Sequence, residues 1–96
     1  MQFGKLAGNS RINDTIYECF DCIHETDIQR FTNKFRRVRK DEQQALHTFR
    51  ELVVGAYLCS NGFEARYEHC IDGKTPDWSL FENETVNSIV ELLIPV

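Results

Sequence analysis

The sequence predicts an α/β or α+β domain in which N-terminal helices are followed by a three-stranded antiparallel meander. Up to about residue 61, apolar residues recur at the three-to-four spacing of one helical face. After Gly62 they alternate with polar residues, as in a half-buried strand. The 96 residues are the length of a single domain. We therefore expect one domain with a helical part over residues 13–61 and a β-meander over residues 63–96.

The first two helices are expected to follow a loose lead-in over residues 1–12. Asn13 or Asp14 begins the first helix, because a short polar side chain can accept hydrogen bonds from the free amides of a first turn. Thr26 or Asp27 begins the second helix for the same reason. The apolar residues between and after these positions predict one buried face on each helix.

The third helix is predicted to run from about Asp41 to Ser60. Asn61 and Gly62 end it, because glycine readily takes the left-handed conformation found at helix ends. Its predicted inward face consists of Ala45, Leu46, Phe49, Leu52, Val53, Ala56 and Tyr57.

Three strands are predicted after Gly62. The first runs from Phe63 to His69, and Asp72-Gly73 then forms a hairpin turn. The second runs from Pro76 to Phe81 and ends in a turn at Glu82-Asn83-Glu84. The third, from Val86 to Ile94, is the most apolar, and we expect it at the centre of the sheet.

The overall charge argues against a protein that coats nucleic acid through its bulk charge. The formal net charge is −4, whereas phosphate binding favours a basic surface. A local basic run, at Arg36, Arg37, Arg39 and Lys40, could still contact phosphates. Alternatively, this run complements the negative end of a helix dipole.

No apolar stretch has the length of a membrane span, and no secretion signal begins the chain, so we expect no membrane partner and a cytoplasmic location. In that compartment the four cysteines are expected to be thiols. Cys19 and Cys22 have a spacing used in zinc sites, but no second pair accompanies them, and buried thiols are the simpler interpretation. The three histidines have no spacing that suggests joint metal binding.

Two acidic residues are predicted to meet across the second hairpin. Asp77 and Glu91 are fourteen positions apart, and their midpoint is residue 84, within the predicted turn. Like charges directly opposite each other destabilise a sheet, so solvent or a divalent cation must offset the repulsion. Mg²⁺ prefers carboxylate oxygens, and paired carboxylates often support metal-assisted phosphodiester hydrolysis. Solvated acids on a hairpin are the alternative.

The second half of the chain resembles the front half of the PD-(D/E)xK nuclease superfamily, which has the restriction-endonuclease-like fold. Proteins of this superfamily have a helix with a glutamate, a Gly-Phe/Tyr step, a strand, a Pro-Asp step and then an apolar strand with Glu-x-Lys. The matching segments are Phe49-Arg50-Glu51-Leu52, Asn61-Gly62-Phe63-Glu64, Tyr67-Glu68, Lys74-Thr75-Pro76-Asp77-Trp78 and Ile89-Val90-Glu91-Leu92-Leu93.

The resemblance implies that Asp77 and Glu91 bind Mg²⁺ and act in catalysis, supplemented by Glu51 on the helix. It also implies a nucleic-acid substrate, which the basic run and Lys74 would contact. Leu93 stands where the superfamily has its lysine, and Lys74 is the nearest lysine in sequence. We therefore expect a divergent nuclease-like domain, active or inactive.

The last strand suggests a second function. A long apolar strand requires neighbours, which a second copy of the chain could supply by pairing at the sheet edge. The alternative is thus a non-catalytic interaction or regulatory domain that forms a homo-oligomer through its last strand. The chain could also be the N-terminal part of a longer protein.

Overall fold

A computed structural model describes residues 10–92 and confirms the α+β arrangement, with three helices followed by a three-stranded antiparallel sheet. The elements are α1 (Ser10–Phe20), α2 (Glu25–Val38), α3 (Glu42–Ser60), β1 (Glu64–Tyr67), β2 (Trp78–Glu82) and β3 (Thr85–Val90). No helix within residues 10–92 is both long enough and apolar enough to cross a membrane.

The first two helices begin before their predicted caps. Because α1 begins at Ser10, residues 10–12 are helical and not a lead-in. Ile12 packs against the core, which extends the apolar face of α1 by one turn. α2 begins after His24, whose Nδ1 accepts a hydrogen bond from the Thr26 amide at 3.1 Å. Asp27 is fully buried and accepts from the backbone of β1 at Tyr67.

Both ends of α3 are as predicted. Asp41 caps its first turn by accepting from the Gln44 amide at 3.2 Å. Gly62 follows its last turn with φ +90°, a conformation that favours glycine. The connection between α2 and α3 is short, and the two helices are in contact.

The predicted inward face of α3 is wrong in part. Val53 and Tyr57 are exposed, at 39% and 66%. Small and polar side chains are buried in their place, at His47, Thr48, Glu51 and Gly55. The reason is that α1, α2 and the sheet pack on different sides of α3. The side toward β2 leaves little room, and Trp78 lies where a Cβ at position 55 would stand.

The order of the strands corrects the predicted sheet. β2 is central and β3 lies at an edge of the sheet that residues 10–92 form. β3 is largely exposed, with Ile89 54% accessible. The predicted strand beyond Val90 does not form at residues 91 and 92, and residues 93–96 lie outside the described residues. The apolar composition of the third strand therefore did not indicate that it is central. The central strand is β2, which carries the large, fully buried side chain of Trp78.

The two turns of the meander differ in how well they were predicted. At Asp72-Gly73 a tight turn forms as expected, with φ +50° and +80° and a bridge from Ile71 to Lys74. The second turn is shorter than predicted and consists of Asn83 and Glu84, with φ +52° and +66°. Glu82 belongs to β2 and pairs with Thr85.

An irregularity in β3 sets the register of the second hairpin. Phe81 pairs with Val86, whereas Leu80 pairs with Ser88, so Asn87 is an extra residue on β3. Continuing the tight turn without this bulge would place Trp78 opposite Ile89. With the bulge, Trp78 pairs with Val90, and the segment after β3 comes alongside Asp77.

Three stacked aromatic rings join the helices to the sheet. Phe31 of α2 stacks on Tyr67 of β1 with ring centroids 3.9 Å apart, and Trp78 of β2 lies 5.2 Å from Tyr67. All three side chains are fully buried. The indole nitrogen of Trp78 donates to the Glu51 carbonyl of α3 at 2.8 Å. This packing places the middle of α3 directly over the start of β2.

Candidate metal centre

Three potential metal ligands meet where α3 crosses the start of β2. His47 and Glu51 are four residues apart on α3 and therefore share one face. Asp77 lies in the bend that precedes β2. One ligand atom from each of these three residues lies within 4.8 Å of the other two. It is the one such group of three or more His, Cys, Asp and Glu side chains within residues 10–92.

Glu51 is the most buried of the three ligands, with 1% exposure. Its Oε1 accepts from the Lys34 ammonium at 3.1 Å, and its Oε2 accepts from the Tyr67 hydroxyl at 3.1 Å. Burial raises the pKa of Glu51 to about 7, opposed by the Lys34 charge and reinforced by the neighbouring carboxylate of Asp77. A cation bound between the two carboxylates would relieve this cost.

Asp77 is held by the backbone on both sides. Its Oδ2 accepts from the Leu92 amide at 2.7 Å, and its carbonyl accepts from the Glu68 amide at 3.1 Å. The first bond depends on the register that the bulge in β3 sets. The side chain is half-buried, and its carboxyl group also interacts with the Glu51 carboxyl through a hydrogen bond.

His47 presents its Nε2 to Glu51, 3.9 Å from Oε1. The residue is 9% exposed, and its buried Nδ1 has no hydrogen-bond partner within residues 10–92. Imidazole is a common ligand of divalent transition metals.

Lys34 of α2 contacts Glu51 of this cluster and also Glu68, which lies outside it. Its ammonium donates to Glu51 at 3.1 Å, to the Tyr67 hydroxyl at 2.6 Å and to Glu68 Oε2 at 3.4 Å. Glu68 has φ +48°, a conformation that is uncommon for a residue other than glycine. Non-glycine residues in such conformations are often found at functional sites.

The residues predicted from sequence divide between two faces of the sheet. Glu51 and Asp77 meet on the face that the helices cover. Glu91 is exposed and lines a cavity of about 320 Å³ on the other face, together with Lys74 and Ile89. Asp77 lies in a bend, so its side chain need not follow the alternation of faces along a strand. Glu91 stands two residues after Ile89 and therefore shares the outer face with it. Among the described residues, the ligand cluster therefore contains Asp77 without Glu91.

The basic run lies at the end of α2 that leads into α3. Arg36, Arg37, Arg39 and Lys40 are all exposed. Arg37 is three residues beyond Lys34, which is a rise of about 4.5 Å along the helix. Arg36 and Arg37 lie in the last turn of α2, and the chain then leads into α3, the helix that carries His47. Leu93, where the superfamily has its lysine, lies outside the described residues.

Sequence reasoning missed two residues of this site. His47 had a local signal, because it precedes Glu51 by one helical turn on the same face. Lys34 had none, since nothing in the sequence relates position 34 to position 51 except the short connection between α2 and α3. His47 and Lys34 are important to the site because Glu51 is buried and its carboxylate contacts few other groups. The burial of Glu51 results from tertiary packing, which the sequence pattern does not show.

The donor set fits a divalent ion. Octahedral ions such as Mg²⁺ have ligands at about 2.1 Å, so adjacent ligand atoms are about 3 Å apart and opposite ones about 4 Å apart. The three ligand atoms lie within 4.8 Å of one another, which is wider than that spacing, so a bound ion would draw the side chains together. Three protein ligands leave positions for water and substrate oxygens, as catalytic metal sites do.

The cysteines contribute no comparable site in the described part of the chain. Cys19 is buried and Cys22 is exposed, and both are free thiols. Burial raises the pKa of the Cys19 thiol, which disfavours the thiolate that binds zinc. This agrees with the interpretation of Cys19 as a core residue.

Comparison with protein-family models, curated proteins and solved structures finds no significant match for this chain.

Proposed function

We propose that this chain is a divergent nuclease-like domain that hydrolyses nucleic-acid phosphodiesters with a divalent metal ion. The observation that supports this proposal is the cluster of His47, Glu51 and Asp77 within 4.8 Å, beside the ammonium of Lys34. The cluster replaces the predicted pair of Asp77 and Glu91 as the metal site. It retains two of the three acidic residues that the resemblance to PD-(D/E)xK nucleases implies.

The chemistry of the ligands supports a divalent ion. Two carboxylates next to one ammonium leave an excess of negative charge in a mostly buried site. When bound, Mg²⁺ or Mn²⁺ supplies Lewis-acid activation of water and stabilises charge on the phosphate. In the reaction, the water oxygen would bond to phosphorus and release a proton to solvent, while the bond to the leaving sugar oxygen breaks and that oxygen takes a proton from solvent.

The surroundings of the site favour a polyanionic substrate. Arg36, Arg37, Arg39 and Lys40 would contact phosphates on either side of the scissile bond from the end of α2. Their charge is local, because the whole chain is acidic. Lys74 lines the cavity on the other face and would contact nucleic acid only if the strand wraps around the sheet edge.

Removing one ligand tests the proposal. Adding Mg²⁺ should shift the amide resonances of His47, Glu51 and Asp77, and Mn²⁺ should broaden them. The metal-loaded protein should cleave single-stranded or double-stranded DNA or RNA. Asp77→Asn should weaken metal binding by more than about 100-fold, because loss of a ligand exceeds the effect of losing an outer partner. Asp72→Asn, an exposed acid in the turn before β2, is the matched control and should bind metal normally. No resonance change at millimolar metal would contradict the proposal.

A second function is favoured by the edge position of β3. We infer that a second copy of the chain pairs with this strand. Thr85 to Val90 contains no charged residue and no proline, the two features that usually block pairing at an edge. Ile89 is 54% exposed and lines a cavity whose other residues are apolar (Ile71, Pro76, Val86) and charged (Asp72, Lys74, Glu91). A pairing of this kind would also cover that cavity.

Sedimentation equilibrium tests the self-association. The wild-type protein should form a concentration-dependent dimer, and Ile89→Lys should shift it to monomer because a buried lysine at the strand edge costs several kcal/mol. Val53→Lys, on the exposed face of α3, should leave the dimer intact. A wild-type monomer at every concentration would rule this role out.

A further inference from the structure

We propose that the Lys34 ammonium occupies a second cation position next to the metal centre, so that the site takes one divalent ion and not two. This inference rests on the metal centre proposed above. Lys34 then acts as a positioning residue that holds two carboxylates, and not as a donor to the attacking water.

The first support is the environment of the ammonium. It lies among three oxygen atoms, at 3.1 Å from Glu51, 2.6 Å from Tyr67 and 3.4 Å from Glu68. Carboxylate and hydroxyl oxygens are also the donors that hard cations prefer. The Lys34 side chain is only 17% exposed, so the cation is enclosed by the protein and not by solvent.

The second support is the shared carboxylate. Glu51 Oε1 lies 3.1 Å from the Lys34 nitrogen and 3.9 Å from His47 Nε2. The same oxygen therefore faces both the ammonium and the metal ligands. In two-metal hydrolases the ions are about 3.5–4 Å apart. Glu51 would lie between a bound metal ion and the ammonium, as a carboxylate does between the two ions of such a hydrolase.

The charge of the site supports a single ion. Asp77, Glu51 and Glu68 contribute three negative charges when ionised, and metal ligands bind in their deprotonated form. Lys34 neutralises one of these charges, and one divalent ion neutralises the other two. A second divalent ion would have to displace Lys34 from all three of its acceptors.

The hydrogen-bonding capacity of Lys34 supports its positioning role. An ammonium has three N–H donors, and three acceptors surround this one. No donor remains for water in this arrangement. Tyr67 fixes the geometry, because its hydroxyl contacts both Lys34 and Glu51 while its ring is stacked on Phe31.

Counting bound Mn²⁺ tests the inference. Calorimetric titration of the whole chain should give one ion for the wild type and two for Lys34→Ala, in which Glu51 and Glu68 face each other without a cation. Electron paramagnetic resonance should show an isolated Mn²⁺ in the wild type and a coupled pair in the variant. Lys34→Arg and the exposed control Arg50→Ala should each bind one ion. Adding Glu68→Gln to Lys34→Ala should return the count to one.

The outcomes separate this inference from the proposed function. Two ions in the wild type, or one ion in folded Lys34→Ala, would overturn the second cation position and leave the metal centre standing. No ion in the wild type would overturn both. If Lys34→Ala does not fold, the ¹⁵N resonance of the wild-type Lys34 ammonium decides. It should persist and shift when Mg²⁺ is added, and its loss to solvent exchange would show that metal displaces Lys34.

Discussion

Gly55→Ala is expected to destabilise the protein by about 3 kcal/mol, the upper end of the usual cost of overpacking a core. A Cβ at this position would lie 1.8 Å from the Trp78 indole ring. The ring is fully buried, stacks with Phe31 and donates to the Glu51 carbonyl, so it has no free direction in which to move. Urea denaturation followed by circular dichroism measures the change.

The contact with the indole can be separated from helix propensity. Alanine is favoured over glycine within a helix by about 1 kcal/mol, so Gly55→Ala should be neutral or stabilising once the ring is absent. In a Trp78→Leu background we therefore expect the sign of the effect to reverse. Gly62→Ala is a second comparison, because its φ of +90° predicts strain of about 1 kcal/mol without any clash. An equal loss from Gly55→Ala in both backgrounds would contradict this account.

The stability of the metal-free protein is expected to fall by about 3 kcal/mol between pH 4 and pH 8 because of Glu51 alone. Its pKa is about 7 in the fold, against 4.5 for an unperturbed glutamate. The folded state therefore binds a proton more tightly than the unfolded state. This contribution is fully present below pH 4.5, is lost as the pH rises toward 7, and does not return above it.

The measurement compares the wild type with Glu51→Gln in chelator at several pH values. The free energy of unfolding of Glu51→Gln minus that of the wild type should increase by about 3 kcal/mol from pH 4 to pH 8. The groups that face Glu51 are Lys34, Tyr67, Asp77 and His47. Repeating the pair in a His47→Gln background removes the contact between the imidazole and Glu51 from the comparison. A pH-independent difference would show that Glu51 is not held in a protonated state by the fold.

These two predictions concern Gly55 and Glu51, which lie on adjacent turns of α3. Glu51 presents its side chain to the candidate metal centre and its carbonyl to Trp78, and Gly55 makes room for that ring one turn later. The centre is thus built on a helix whose position is set by the most buried packing of the molecule. A site on such an element keeps its geometry better than one built on loops.

Local patterns were enough to predict the order of three helices and three strands. The cap at Asp41, the end of α3 at Gly62 and the turn at Asp72-Gly73 follow from the conformations those residues favour. Asp77 was predicted as a site residue from the spacing of the second hairpin and from the resemblance, and Glu51 from the resemblance alone. The cap, the helix end and the turn depend on residues a few positions apart in sequence. The predicted site residues depend on a sequence motif and, for Asp77, on the spacing of the hairpin.

Packing decided the rest. It placed β3 at an edge, and a one-residue bulge at Asn87 set the register that brings the Leu92 amide to Asp77. It also turned Glu91 toward the outer face and brought Lys34 to Glu51 across seventeen positions. These contacts join distant segments, and their energies depend on burial. Helical or strand periodicity specifies which face of an element is apolar, but not which polar group another element brings to that face.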